Sequence, residues 1–227
     1  LPEETGIENF QTNRAYRANE LYGKDESITK DEFYKYKYDT YYSSQSVMKY
    51  VLDRFINEIN TDDPKLLEGV ALLKNWDFGN QKENKAAALA LLTFKLKYNM
   101  NDFVYDYQSI FLKFKNAIIF LNSKFGKIDI PLGDLQILKR GEVELPLDGA
   151  PDVLRAIYSK MENNKRIATG GDCFFQMIEW DKEGNINAQS IHQFGSAISN
   201  KSSEHYADQA YLFSEERLKP SLLNLEE

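Results

Sequence analysis

A single cysteine, Cys173, stands among the 227 residues, so no internal disulfide can form. Set in an extended apolar stretch, it reads as a small buried hydrophobe. There are only two histidines, His192 and His205. His-Glu-x-x-His, paired cysteines and an Asp-x-Asp-x-Asp-Gly loop are all absent, which leaves no recognisable metal set, and no cofactor is expected. No apolar run approaches the roughly 20 residues that span a bilayer, so no membrane span is expected, and Leu1-Pro2-Glu3-Glu4 has no signal-peptide character. Basic residues are outnumbered, 28 Lys+Arg against 35 Asp+Glu, for a net charge of -7. That balance argues against a nucleic-acid backbone as partner. The first residue is Leu1 rather than Met, and we expect an upstream part of the protein to precede it.

What is present begins with helices. With 42% hydrophobic residues the chain has material for one large core or two modest ones. After a polar lead-in over Leu1 to Ile7, Thr12 or Asn13 caps a short helix that stops at Gly23, with Ala15, Ala18, Leu21 and Tyr22 on its apolar side. Thr29 and Glu32 form a capping box, which predicts a helix from Lys30. Ser43 to Ile59 carries Val47, Val51, Phe55 and Ile59 on one stripe, widened by Met48, Leu52 and Ile56. Pro64 at a first helical position opens the next, with Leu66, Leu67, Val70, Ala71 and Leu73 turned inward. Asn84 to Tyr98 and Asp106 to Lys124 follow, the second with Ile110, Phe114, Ile118 and Leu121 in phase and Gly126 as terminator.

Beyond Gly126 the pattern turns extended. Cys173, Phe175, Met177 and Glu179 alternate with Phe174, Gln176, Ile178 and Trp180, so each set shares one face of a strand. Asp181 to Gly184 supplies a turn, and Asn185 to Ile191 runs back to complete a hairpin. The expected fold class is α+β, a helical first half followed by antiparallel strands. Residues 1–126 form a mainly helical region and residues 127–227 a mainly β region, within one structural unit.

Three local patterns invite functional readings and lose them. Tyr34-Lys35-Tyr36-Lys37-Tyr38 interleaves aromatics and cations, but Asp31, Glu32 and Asp39 flank it, so the rings are expected to pack while the lysines reach water. Asp77-Phe78-Gly79 spells a kinase tripeptide without the Gly-rich loop, strand lysine or His-Arg-Asp loop of a kinase. Ser199, Ser202, Ser203, His205 and Asp208 crowd into one loop; triads are assembled from distant segments, so a hydrogen-bonded structural loop is the better reading.

The ending, Gly171-Asp172-x-aromatic followed by a return strand, a Ser/Asn loop and His205-Tyr206-Ala207-Asp208-Gln209, resembles the C-terminal end of the penicillin acylase family, and most nearly its acyl-homoserine-lactone acylase branch. Earlier segments are similar too. They include Asn13-Arg14-Ala15-Tyr16-Arg17 with Glu20-Leu21, Ser27-Ile28 through Phe33, and Leu72-Leu73 with Trp76-Asp77. Pro131-Leu132-Gly133-Asp134, Arg140-Gly141, Leu145-Pro146 and Gly149-Ala150-Pro151-Asp152 complete the set. The family are N-terminal-nucleophile hydrolases with a four-layer αββα core. A self-released N-terminal serine attacks an amide carbonyl, its α-amino group acts as base, and an asparagine with backbone N–H groups holds the oxyanion. Leu1 has no such hydroxyl. The resemblance therefore implies a C-terminal portion of the catalytic chain, with serine and asparagine upstream, the family's calcium ligands elsewhere, and no catalytic residue here. It implies that Arg14 supports the active site, and that Asp172, His205, Tyr206, Asp208 and Gln209 are structural. The implied partners are the upstream part of the same chain, a small α subunit and a small acyl-amide substrate, with a periplasmic or secreted location. Without the resemblance, Arg14 would be a surface arginine on an amphipathic helix. An acidic α+β binding module with no enzymatic parent is the alternative, and an exposed apolar face would tell against it.

Overall fold

The computed structural model describes residues 11–95 and 104–222. The lead-in, together with Leu96 and Tyr98 at the end of one expected helix, lies outside them. Helices come first: α1 (Asn13–Leu21), α2 (Lys30–Lys37), α3 (Val47–Glu58), α4 (Pro64–Lys74), α5 (Ala87–Thr93), α6 (Tyr107–Phe125) and a single turn, α7 (Leu132–Leu135). Their starts follow from local chemistry. Thr12, Ser46, Asp63 and Asp106 each accept a backbone N–H of the first turn, and Thr29 and Glu32 form the expected reciprocal box. Gly126 ends α6 in the left-handed conformation at φ 76°.

Three expectations shift. The Ser43 segment becomes helical only at Val47, because Ser43 and Ser46 form the turn that caps it. α5 spans Ala87–Thr93 alone: Asn84 is held by a bond from Leu132 N–H, and Phe94 leaves the helix to pack buried against Phe55. In α4, Leu67 and Ala71 face solvent, and the buried stripe is Leu66, Gly69, Val70 and Leu73. Gly69 is on the stripe because α6 crosses it closely. A Cβ there would meet Ile118 Cδ1 at 2.6 Å and Phe114 at 2.8 Å. Hydrophobic periodicity cannot nominate a glycine.

Strands β1 (Gln136–Arg140), β2 (Val143–Pro146), β3 (Ile157–Glu162) and β4 (Lys165–Gly171) form a mixed sheet of order β2-β1-β4-β3, in which β1 and β4 are parallel. The β3–β4 turn is made by Asn163 and Asn164, both at positive φ, as a tight hairpin requires. β5 (Phe175–Trp180) and β6 (Ile186–Ile191) are the expected antiparallel hairpin. β6 also pairs with the two-residue β7 (Lys219–Pro220), which follows α8 (Ala210–Ser214). The chain is α+β.

The larger core lies among α3, α4, α5, α6 and α7, around Met48, Phe55, Leu73, Leu89, Phe114 and Leu121. A second joins the two sheets and α8 through Leu138, Leu147, Ile157, Ile191 and Phe213. One face of the β5–β6 hairpin stays bare: Ile178, Trp180 and Ile186 are 43%, 63% and 49% exposed, and Phe174 beside them 58%. Among the described residues no helix is long and apolar enough to cross a membrane.

Candidate functional site

The family-like segments, far apart in sequence, meet at three places. The first is the start of α1. Asn13 is buried there and uses its whole side chain: Nδ2 donates to the Asp152 carbonyl at 2.8 Å and to Tyr41 O at 3.2 Å, while Oδ1 accepts from Ser43 N–H at 2.7 Å. Asp152 accepts the Asn13 N–H at 2.9 Å and lies 3.5 Å from Arg14 Nε. Burial pushes the Asp152 carboxyl above the ordinary carboxylate range, against the opposing pull of the Asn13 N–H and Arg14. Two arginines one helical turn apart meet different fates. Arg17 Nε and Nη2 hold Asp39 at 2.9 and 2.6 Å, and its Nη1 holds Glu20 at 2.7 Å. Arg14 makes one ion pair among the described residues, and its side chain is 41% exposed. Among the described residues nothing else is paired with its guanidinium.

The second place is the Gly171-Asp172 end of β4. Asp172 accepts from Lys37 Nζ at 2.6 Å and from Arg155 Nη1 at 3.3 Å, tying α2 to the sheets. Arg155 is wholly buried; its Nη2 donates to Phe213 O at 2.8 Å, and its guanidinium lies over the Tyr38 and Phe213 rings. Its Nε finds no hydrogen bond, with Glu216 at 3.9 Å. Burial first, and Asp148 second, raise the Glu216 carboxyl to about 7. Replacing Glu216 by glutamine should therefore have a pH signature. The folded state holds the proton more tightly, so this group's contribution is fully present below pH 4.5 and is lost as pH rises through about 7. The Glu216→Gln chain should match the parent in stability at pH 4.5. It should then gain over it until about pH 7, by at most about 3 kcal/mol at 1.36 kcal/mol per unit. Urea unfolding at several pH values measures this. Equal stability at pH 8 would refute it.

The third place is the His205 loop. Ser203 caps a turn over Glu204–Tyr206, accepting the His205 N–H at 3.1 Å. His205 Nδ1 pairs with Asp208 at 2.9 Å, which raises its pKa. Gln209 Oε1 accepts from His192 N–H at 3.0 Å, and Gln209 N–H donates to Phe194 O at 2.8 Å. Arg140 closes the arrangement. Its Nη2 donates to Ile198 O at 2.9 Å and Ala197 O at 3.2 Å, and its guanidinium lies 3.9 Å from the Tyr206 ring centroid. No serine or cysteine among the described residues hydrogen-bonds a histidine ring; the loop organises backbone. Cys173, expected to be buried, is exposed, because the chain leaves β4 at Gly171 and the first paired residue of the hairpin is Phe175.

Arg140, Asp152 and Arg155 are the residues that sequence reasoning passed over as site members. Arg140 and Asp152 stand inside quoted family-like segments, which was the available signal; Arg155 had none. Asp77-Phe78-Gly79 is a turn in which Asp77 accepts from Gly79 N–H and Asn84 Nδ2, and Gly79 O accepts from Trp76 Nε1. No group of three or more His, Cys, Asp or Glu side chains among the described residues is placed to hold a metal.

The described residues thus form an α+β scaffold that holds Arg14 toward solvent and in which no serine or cysteine is hydrogen-bonded to a histidine ring. The chain belongs to the penicillin amidase family, whose model matches residues 2–227. Among solved structures it is similar to a thermostable penicillin G acylase from Alcaligenes faecalis, at 12% identity and a TM-score of 0.41. That match covers 92% of this chain and 49% of the other, so the chain spans about half the length of that relative. No curated protein matches.

Proposed function

We propose that the chain is the C-terminal part of the catalytic subunit of an amide-hydrolysing acylase, of the acyl-homoserine-lactone acylase kind. Its substrate is an N-acylated small molecule such as an acyl-homoserine lactone or a β-lactam. The nucleophilic serine and oxyanion asparagine lie on a segment outside these residues, and a small α subunit completes the enzyme, in the periplasm or outside the cell. Residues 1–126 and 127–227 act as one unit. The observation that carries this proposal is the family match along residues 2–227. Two structural features support it. Arg14 is held by Asp152 on its Nε side and is 41% exposed, and a group placed in this way can reach a catalytic neighbour. The bare face of Ile178, Trp180 and Ile186 is the kind of surface that a missing layer covers.

The test is release of a chromogenic amine from a panel of acyl amides. The 227-residue chain is compared with the same chain extended upstream to the serine and paired with the small subunit. Turnover is expected only in the complete assembly. There, Arg14→Ala should lower kcat on the order of 100-fold, the scale of losing one oriented donor at an oxyanion site. Turnover by the 227 residues alone would overturn the proposal.

A further inference from the structure

Asp152 reaches the start of α1 from 139 positions away, and it does so with both its backbone and its carboxylate. The two ends of its ion pair are unlike. The Asp152 side chain is 15% exposed and that of Arg14 41%, so the anion is fixed inside and the cation points outward. The closest contact is through Nε, the nitrogen nearest the chain, and among the described residues no other ion pair holds the guanidinium. Asp152 also holds φ at 63°, in a region that aspartate and asparagine tolerate better than other side chains. Tyr42, hydrogen-bonded to Pro151 O at 2.7 Å, buttresses the same turn from beneath.

We infer that Asp152 is a positioning residue for Arg14. It holds the inner edge of the guanidinium so that the outer edge is presented, in a fixed orientation, to the reacting groups. The inference rests on the role given to Arg14 above and adds the residue through which that role is set. Arg17 is the contrast on the same helix: all three of its nitrogens are bound within the fold.

Asparagine at 152 separates the two jobs of the residue. Its amide oxygen still accepts the Asn13 N–H and it tolerates the left-handed backbone, while the charge facing Arg14 is gone. In the complete assembly, Asp152→Asn should lower kcat roughly 10- to 100-fold, the scale of a small misplacement of a catalytic group, with KM changed less than about twofold. Adding Asp152→Asn to Arg14→Ala should cost nothing further, because the residue it positions is already missing. Asp152→Glu, which keeps the charge, should recover part of the rate. Full kcat in Asp152→Asn beside a large loss in Arg14→Ala would overturn the inference and leave the role of Arg14 intact. So would losses that multiply in the double variant. An unchanged kcat in Arg14→Ala would overturn the role of Arg14, and this inference with it.

Discussion

Asp172→Asn should cost the fold about 3 kcal/mol or more, the scale seen when one partner of a buried ion pair is removed. Arg155 is wholly buried, and Asp172 is the anion hydrogen-bonded to it. The amide keeps the shape of the carboxylate, so packing is preserved and the loss reports the stranded charge. Glu216 lies 3.9 Å away but titrates near 7, so it is a poor substitute in mildly acidic solution. Lys37, joined to the same carboxylate at 2.6 Å, would also be released, loosening α2 from the end of β4. Arg155→Met in the Asp172→Asn background should restore much of the stability, because an apolar side chain of similar volume removes the charge that lost its partner. Urea unfolding of the two single variants and the double decides it. A double variant no more stable than Asp172→Asn would mean that the stranded Arg155 charge is not the source of the loss, and would overturn this account.

Gly171→Ala is expected to be at least as damaging, and no second substitution of this kind should rescue it. Gly171 sits at φ 114°, where a side chain is strained whatever the space. A Cβ built there would lie 2.0 Å from the Ala156 carbonyl oxygen, which itself accepts the Asp172 N–H at 2.7 Å. The obstacle is backbone, so the β3–β4 register or the Asp172 bond must give way. A loss above about 3 kcal/mol, or failure to fold, is the expected result at a strained special position. A melting temperature within a few degrees of the parent would show that the strand end can relax, and would contradict this account.

Much of the architecture was legible because its causes are local. A cap or capping box reaches three residues, a helical stripe repeats every three or four, and a strand face every two. Thr29 with Glu32, Pro64 after Asp63, Gly126 after α6, and the turn at Asp181 to Gly184 therefore announced their elements. Local rules failed where another element overrode them. α5 is cut short by the packing of Phe94 on Phe55, Gly69 replaces Leu67 on its stripe under α6, and Cys173 lies in a connection that leaves it exposed. The segments that marked the family were likewise visible as strings. Their meeting was not, since Asn13 and Asp152 are separated by 139 positions and Lys37 and Asp172 by 135. Pairings of that span are set by how helices and sheets pack, because no residue's chemistry fixes its partner until the chain has brought the two within a few ångströms.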